Sequence, residues 1–293
     1  MRKELDADIE SCLKIFLNAH YSTLEKLVMS EHYWLACGST KTSIETALCG
    51  CSGQINKMPV VMDYYSPILQ GKLVIGLTYS GNSTEVTDFI PVNTHPDSKI
   101  ITSSSRVIEK TVLPFITKGI PLRYLPLLTH KLIRSIYNQD VSKHTLSGDL
   151  RISLEPVFEA LRFSYINNLI PVFTSDNNSW FARLFSEQHM EFLKRPAFSV
   201  SYPNYTHNFL WSLSKHNIDR FYFIHENSQF HYSDCRQSKA IKHISLLGGF
   251  QAELPFNTTS YDVYAIWLSC ISLYEKLSTM LDLNMNAEHS FNE

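Results

Sequence analysis

The 293-residue chain carries 26 Lys and Arg against 28 Asp and Glu, a near-neutral balance that argues against a nucleic-acid backbone or an anionic membrane as partner and leaves a small-molecule ligand as the default. Its 44% apolar content, with 17 Phe and 15 Tyr, excludes a disordered chain. The length suits two domains of roughly 100–150 residues each.

Residues 8–29 keep Ile9, Leu13, Phe16, Leu17, Leu24 and Leu27 at helical spacing, which predicts an opening helix. Short apolar runs follow at 33–37, 60–63, 73–79 and 100–102, separated by turn-rich or helical stretches. Such runs are what strands buried on both faces look like in a parallel sheet with helical crossovers. After Arg123, the residues Leu125, Leu128, Leu132 and Ile133 mark a long helical tract, and the polar stretch 138–149 with Ser142, Ser147 and Gly148 reads as a linker. The pattern then repeats, with a helix from about residue 154, strands at 170–174, 198–202, 220–225 and 243–247, and a closing amphipathic helix over 261–283. The expectation is an α/β chain with one domain over residues 1–150 and a second over 151–293.

The N-terminus lacks the apolar core of a signal peptide, and no run of 18 or more apolar residues occurs, so a cytoplasmic protein without membrane contact is expected. Six cysteines stand at 12, 37, 49, 51, 235 and 270. Cys49-Gly50-Cys51 has neither the spacing of a zinc knuckle nor a matching second pair, so reduced thiols, mostly buried, and no bound metal are expected.

The most informative stretch is Leu73-Val74-Ile75-Gly76-Leu77-Thr78-Tyr79-Ser80-Gly81-Asn82-Ser83-Thr84-Glu85, where an apolar run ends abruptly in small hydroxyl residues. Strand end, tight turn and helix start coincide there. The hydroxyls of Ser80, Ser83 and Thr84 with turn amides suit a phosphate, and the same residues also suit plain helix capping.

This stretch resembles the S-Y-S-G-N-T-E-E phosphate loop of sugar-isomerase (SIS) domains, through Tyr79, Ser80, Gly81, Asn82 and Glu85, with Thr78 and Ser83 keeping the hydroxyls. The chain is most similar to the bifunctional phosphoglucose/phosphomannose isomerases. Cys37-Gly38-Ser39 resembles their G-G-S, and Gly119-Ile120-Pro121-Leu122-Arg123 their G-x-x-P-R. Glu191-Phe192-Leu193-Lys194-Arg195-Pro196-Ala197 resembles E-N-x-K-x-P-A, and Pro203-Asn204-Tyr205-Thr206-His207-Asn208 resembles P-E-x-N-H-N. Phe192 stands where the family has asparagine, and Thr206 replaces another.

The resemblance implies two SIS-type domains, each a parallel sheet flanked by helices in three αβα layers. It implies a cofactor-free aldose–ketose isomerase that converts glucose 6-phosphate or mannose 6-phosphate to fructose 6-phosphate through a cis-enediol. Gly38, Ser39, Thr78, Ser80, Ser83 and Arg123 would bind the substrate. Arg123 would stabilise the enediolate, although a lone arginine also pairs readily with a surface carboxylate. Glu191 would be the base, with Glu187 one helical turn earlier as fallback; His207 would open the ring, and Lys276 matches the family's C-terminal lysine. The family's homodimer, with the histidine crossing to the neighbouring site, is expected here. A non-catalytic phosphosugar sensor remains the alternative, and an enzyme acting on another phosphosugar a third reading.

Overall fold

A computed structural model describes residues 2–49, 59–62, 66–81, 83–104, 111–117, 120–137, 154–176, 180–202, 209, 212–227, 231–254 and 263–282. The chain contains two compact units, residues 1–145 and 146–293.

In the first unit, helix α1 (Arg2–Met29) buries Ile9, Leu13, Phe16, Leu24 and Leu27, the face expected from their spacing. Strands β1 (Tyr33–Leu35), β2 (Val60–Met62), β3 (Val74–Leu77), β4 (Lys99–Thr102) and β5 (Val112–Pro114) form a parallel sheet in the order β2-β1-β3-β4-β5. The central register sets Trp34 of β1 beside Val61 and Ile75. All four β3 residues are buried, as their continuous apolar run requires. Helices α2 (Gly38–Cys49), α3 (Thr84–Thr87), α4 (Phe89–Asn93) and α5 (Leu125–Ile136) connect and cover the sheet, α5 packing against both α1 and α2.

Two features fix this unit. His32 Nδ1 lies 2.8 Å from the Ser30 carbonyl, so that nitrogen carries the proton and Nε2 accepts from the Tyr137 hydroxyl at 2.7 Å. Trp34 Nε1 donates to the same hydroxyl at 3.0 Å, tying the end of α5 to β1. Gly76 is the second. A Cβ there would lie 2.4 Å from Ile90 Cδ1 and 2.6 Å from Val86 Cγ1, so α3 and α4 approach β3 as closely as glycine permits.

In the second unit, strands β6 (Ile170–Asp176), β7 (Phe198–Tyr202), β8 (Phe221–His225) and β9 (Phe250–Glu253) form a parallel sheet in the order β7-β6-β8-β9. Helix α6 (Glu155–Ile166) lies against β8 and β6, and α7 (Phe181–Leu193) against β6 and β7. Helix α8 (His231–Leu247) packs Ala240 and Ile244 on Val172, Ile218 and Phe223, while α9 (Val263–Met280) packs on α7 and α6.

Two expectations are corrected. The fold is a single α/β domain of 293 residues holding two parallel sheets, of five and four strands, not two SIS-type domains. Length misleads here because an α/β pattern that runs twice is counted as two domains, whereas single α/β domains often exceed the usual length per domain. The strand expected over 243–247 is the last turn and a half of α8, and the strand is Phe250–Glu253 instead. Ile244 is a helical core residue, and the true strand is polar at Gln251 and Glu253, so its apolar signal is weaker than the helix's. The expected linker 138–149 lies outside the described residues.

Candidate functional site

The strand order of the first sheet reverses direction between β1 and β3. In open parallel α/β sheets, ligands bind outside the C-terminal strand ends at such a point, because the two crossovers leave in opposite directions and open a crevice. The turns after β1 and β3 carry five of the six predicted substrate-binding residues, and Arg123 lies ahead of α5.

After β1, Gly38 takes φ +55° at the head of α2, a conformation that side chains rarely adopt. A Cβ built on it would meet nothing within 4 Å. The glycine is therefore needed for the turn and leaves its surroundings open. Ser39 is half-buried, and its carbonyl accepts from Ser43 Oγ at 2.6 Å.

After β3, Thr78 is buried and its amide donates to Ile101 O at 3.1 Å, continuing the ladder past the strand. Thr78 Oγ1 donates to Ser83 Oγ at 3.3 Å, so the structure brings these two predicted residues together across the turn. Ser80 is exposed at the tip and Gly81 takes φ +70°. Ser83 occupies the N-cap of α3, yet its side chain makes no capping bond. Its hydroxyl faces Thr78 rather than the helix, so Ser83 does not act as a side-chain cap. Helix α3 is only four residues long, so hydroxyls and turn amides, not a long helix dipole, supply what an anion would meet.

Two residues that sequence reasoning passed over bond to Tyr79. Tyr79 Oη lies 2.7 Å from Thr129 Oγ1 on α5, and the Tyr79 carbonyl accepts from Ser103 Oγ at 2.7 Å beyond β4. Burial pushes the Tyr79 phenol well up, so it stays protonated. Thr129 was hidden in an apolar helical tract; the run Ser103-Ser104-Ser105 after β4 was a visible signal. Arg123 is half-buried in the 3-10 turn Leu122–Tyr124 that feeds α5, its guanidinium carbon 5.3 Å from the Tyr124 ring centroid.

In the second unit, Glu191 sits half-buried in the last turn of α7, where Gln188 Nε2 donates to its Oε2 at 3.3 Å. Glu187 is also half-buried, with Oε2 buried, and shares the face of Glu191 one turn earlier. Helix α7 runs back from the C-terminal end of β6, and Glu191 lies ten residues after Phe181, roughly 15 Å along the axis at the helical rise. Glu191 is thus set toward the N-terminal edge of its own sheet. His189, between these carboxylates in sequence, is buried against Phe173 and Tyr274, and burial with the Arg195 charge pulls its pKa down to about 3.

Lys276 on α9 is exposed, pairs with Glu155 Oε2 at 3.4 Å and lies 3.9 Å from the Phe158 ring centroid. Both of these partners stand on α6. His207 lies outside the described residues. Among the described residues no group of His, Cys, Asp and Glu is arranged to hold a metal ion, and no helix is long and apolar enough to cross a membrane.

No family model matches the chain, and no curated protein matches it in sequence. Solved structures match it in fold. The C-terminal domain of glucosamine-fructose-6-phosphate aminotransferase from Francisella tularensis aligns over 97% of this chain and 96% of its own, at 11% identity and TM-score 0.56. One domain of that protein therefore takes in both sheets, which is what overturns the expectation of two SIS-type domains. Glucosamine-6-phosphate deaminase from Thermotoga maritima aligns over 98% of this chain and 97% of its own, at 12% identity and TM-score 0.58. A protein provisionally named a phosphosugar isomerase, from Clostridium difficile 630, aligns over 99% and 95%, at 10% identity and TM-score 0.62. At these identities the likeness is one of fold.

Proposed function

We propose that this chain binds a phosphorylated sugar and interconverts aldose and ketose 6-phosphates, taking glucose 6-phosphate or mannose 6-phosphate to fructose 6-phosphate. One observation carries the reading. The facing hydroxyls of Thr78 and Ser83, 3.3 Å apart, stand in the turn after β3 at the reversal point of the sheet. The fold is shared with proteins named for phosphosugar substrates, which supports the same ligand class.

The phosphate serves as a handle remote from the reacting C1 and C2, and binding energy spent there positions the chemistry. Ser80 and Ser83 with the turn amides hold the phosphate, and Gly38 and Ser39 admit the sugar beside it. His207 assists ring opening at the ring oxygen. Glu191 takes the C2 proton of the aldose and delivers it to C1 through a cis-enediol, while Arg123 offsets the developing negative charge. The enediol is planar at C2, so return of the proton to either face gives glucose or mannose 6-phosphate. The reaction is a redistribution of protons and needs no cofactor. The reading includes a cytoplasmic homodimer with His207 reaching the neighbouring site, which sedimentation velocity tests.

A second reading, a phosphosugar sensor without turnover, is favoured by the surface pairing of Lys276 with Glu155. Calorimetry with fructose 6-phosphate and with fructose tests what both readings share. The phosphate ester should bind and fructose should not, and Ser80→Ala with Ser83→Ala should weaken binding by about 1–3 kcal/mol. Equal affinities for ester and free sugar would remove the phosphate role. A coupled assay for glucose 6-phosphate then separates enzyme from sensor.

A further inference from the structure

Tyr79 directly follows Thr78 in the turn, and its side chain leaves the turn to reach helix α5. Its ring is buried, with its centroid 6.1 Å from that of Phe115. Thr129 Oγ1 donates to the Leu125 carbonyl at 3.0 Å, so the only hydroxyl proton of Thr129 is used there. The 2.7 Å contact between Tyr79 Oη and Thr129 Oγ1 is therefore donated by the phenol, and the buried phenol keeps its proton. Leu125 begins α5, and the 3-10 turn ahead of it carries Arg123, with the Tyr124 amide bonded to Pro121 O at 2.9 Å. On its other side the Tyr79 backbone is fastened by Ser103 at 2.7 Å.

These bonds form one path: Thr78–Ser83 turn, Tyr79 backbone, Tyr79 phenol, Thr129, Leu125 and the first turn of α5. We infer that the Tyr79–Thr129 hydrogen bond is a positioning device that sets the span between the phosphate turn and Arg123, so that one phosphosugar engages both. Neither side chain touches the substrate. Both are buried, and they act through the turn and the helix they join. The inference rests on the proposed function, because the span matters only if the turn takes the phosphate and Arg123 takes the sugar's reacting end.

The span separates two ligands that plain destabilisation does not. Inorganic phosphate needs only the turn, whereas fructose 6-phosphate needs the turn and Arg123 at the right separation. Tyr79→Phe keeps the ring against Phe115 and deletes the donor, and Thr129→Val deletes the acceptor at nearly constant volume. Each should lower fructose 6-phosphate affinity about fivefold to tenfold, the worth of one buried hydrogen bond, and leave inorganic phosphate affinity unchanged. In an Arg123→Gln background Tyr79→Phe should have no further effect, since the span then has nothing to set. Calorimetry with both ligands on the full chain reads all of these. Unchanged fructose 6-phosphate affinity in both variants, or equal losses for the two ligands, overturns the inference while leaving the phosphate turn intact. Failure of the unaltered protein to bind fructose 6-phosphate overturns the parent reading and this inference with it.

Discussion

Phe192 stacks on Tyr274, with ring centroids 5.7 Å apart and planes 22° from parallel, and the Tyr274 hydroxyl donates to the Phe185 carbonyl at 2.8 Å. Phe192 is therefore a core residue of the α7–α9 interface, although it occupies the place of an asparagine in the resembled isomerases. Its neighbour Glu191 is half-buried on another face of the helix. The departure at 192 is a packing change next to Glu191 in the chain.

Restoring asparagine should harm the protein. Phe192→Asn removes a buried ring and leaves an amide in an apolar setting, so urea unfolding should report a loss of about 3–5 kcal/mol. Unchanged stability together with faster turnover would place residue 192 in the site instead.

Acid should destabilise the fold through two buried imidazoles. Burial, aided by the Arg195 charge at His189, lowers the pKa of His189 to about 3, and burial lowers that of His225 to about 4. Above the ordinary histidine value both folded and unfolded states are neutral and pH has no effect through these groups. As pH falls below about 6.5, the unfolded state takes up protons that the native state refuses, so stability drops by about 1.4 kcal/mol per pH unit for each histidine, down to the folded values. Urea midpoints at pH 7, 6 and 5 should fall accordingly, and His189→Leu should flatten the slope. Identical slopes in the variant and the unaltered protein would mean that His189 does not titrate this way.

Gly76→Ala should disturb the site from beneath. The added methyl would overlap Val86 of α3 and Ile90 of α4, at a cost of about 1–3 kcal/mol by overpacking. Because α3 carries Ser83 at its cap, fructose 6-phosphate binding should weaken too. A variant of full stability and affinity would show that α3 can withdraw freely.

Much of this was legible in the sequence. The apolar runs of β1, β3 and β4 are buried on both faces, and a strand without polar alternation has few other places to go. The turn after β3 was legible because Gly81 and the hydroxyl residues have a conformational and chemical reason to follow a strand end. Strand β9 was not, since Ile244 and Leu247 of α8 give a stronger apolar signal than Phe250-Gln251-Ala252-Glu253. The Tyr79–Thr129 bond was invisible because residues 50 apart along the chain meet only after the helix docks, and a threonine among leucines reads as filler. For Lys276, sequence position alone did not reveal that Glu155 and Phe158 flank it.

Lys276→Met tests that surface placement. An exposed ion pair contributes little, so stability should change by less than about 1 kcal/mol and turnover by less than about threefold. A hundredfold loss of turnover at unchanged stability would make Lys276 a reacting group.

Glu191 is proposed to move a proton between C1 and C2 of a 6-phosphosugar, and proton NMR of fructose 6-phosphate in deuterated buffer reads that step directly. The unaltered protein should convert it to glucose and mannose 6-phosphates carrying deuterium at C2. Glu191→Gln should slow this about 10²–10⁴-fold with fructose 6-phosphate affinity nearly kept, while Glu187→Gln should slow it far less. Conversion and exchange that persist at full rate in Glu191→Gln would contradict the assignment, and neither conversion nor exchange in the unaltered protein, with fructose 6-phosphate bound, would make it a sensor.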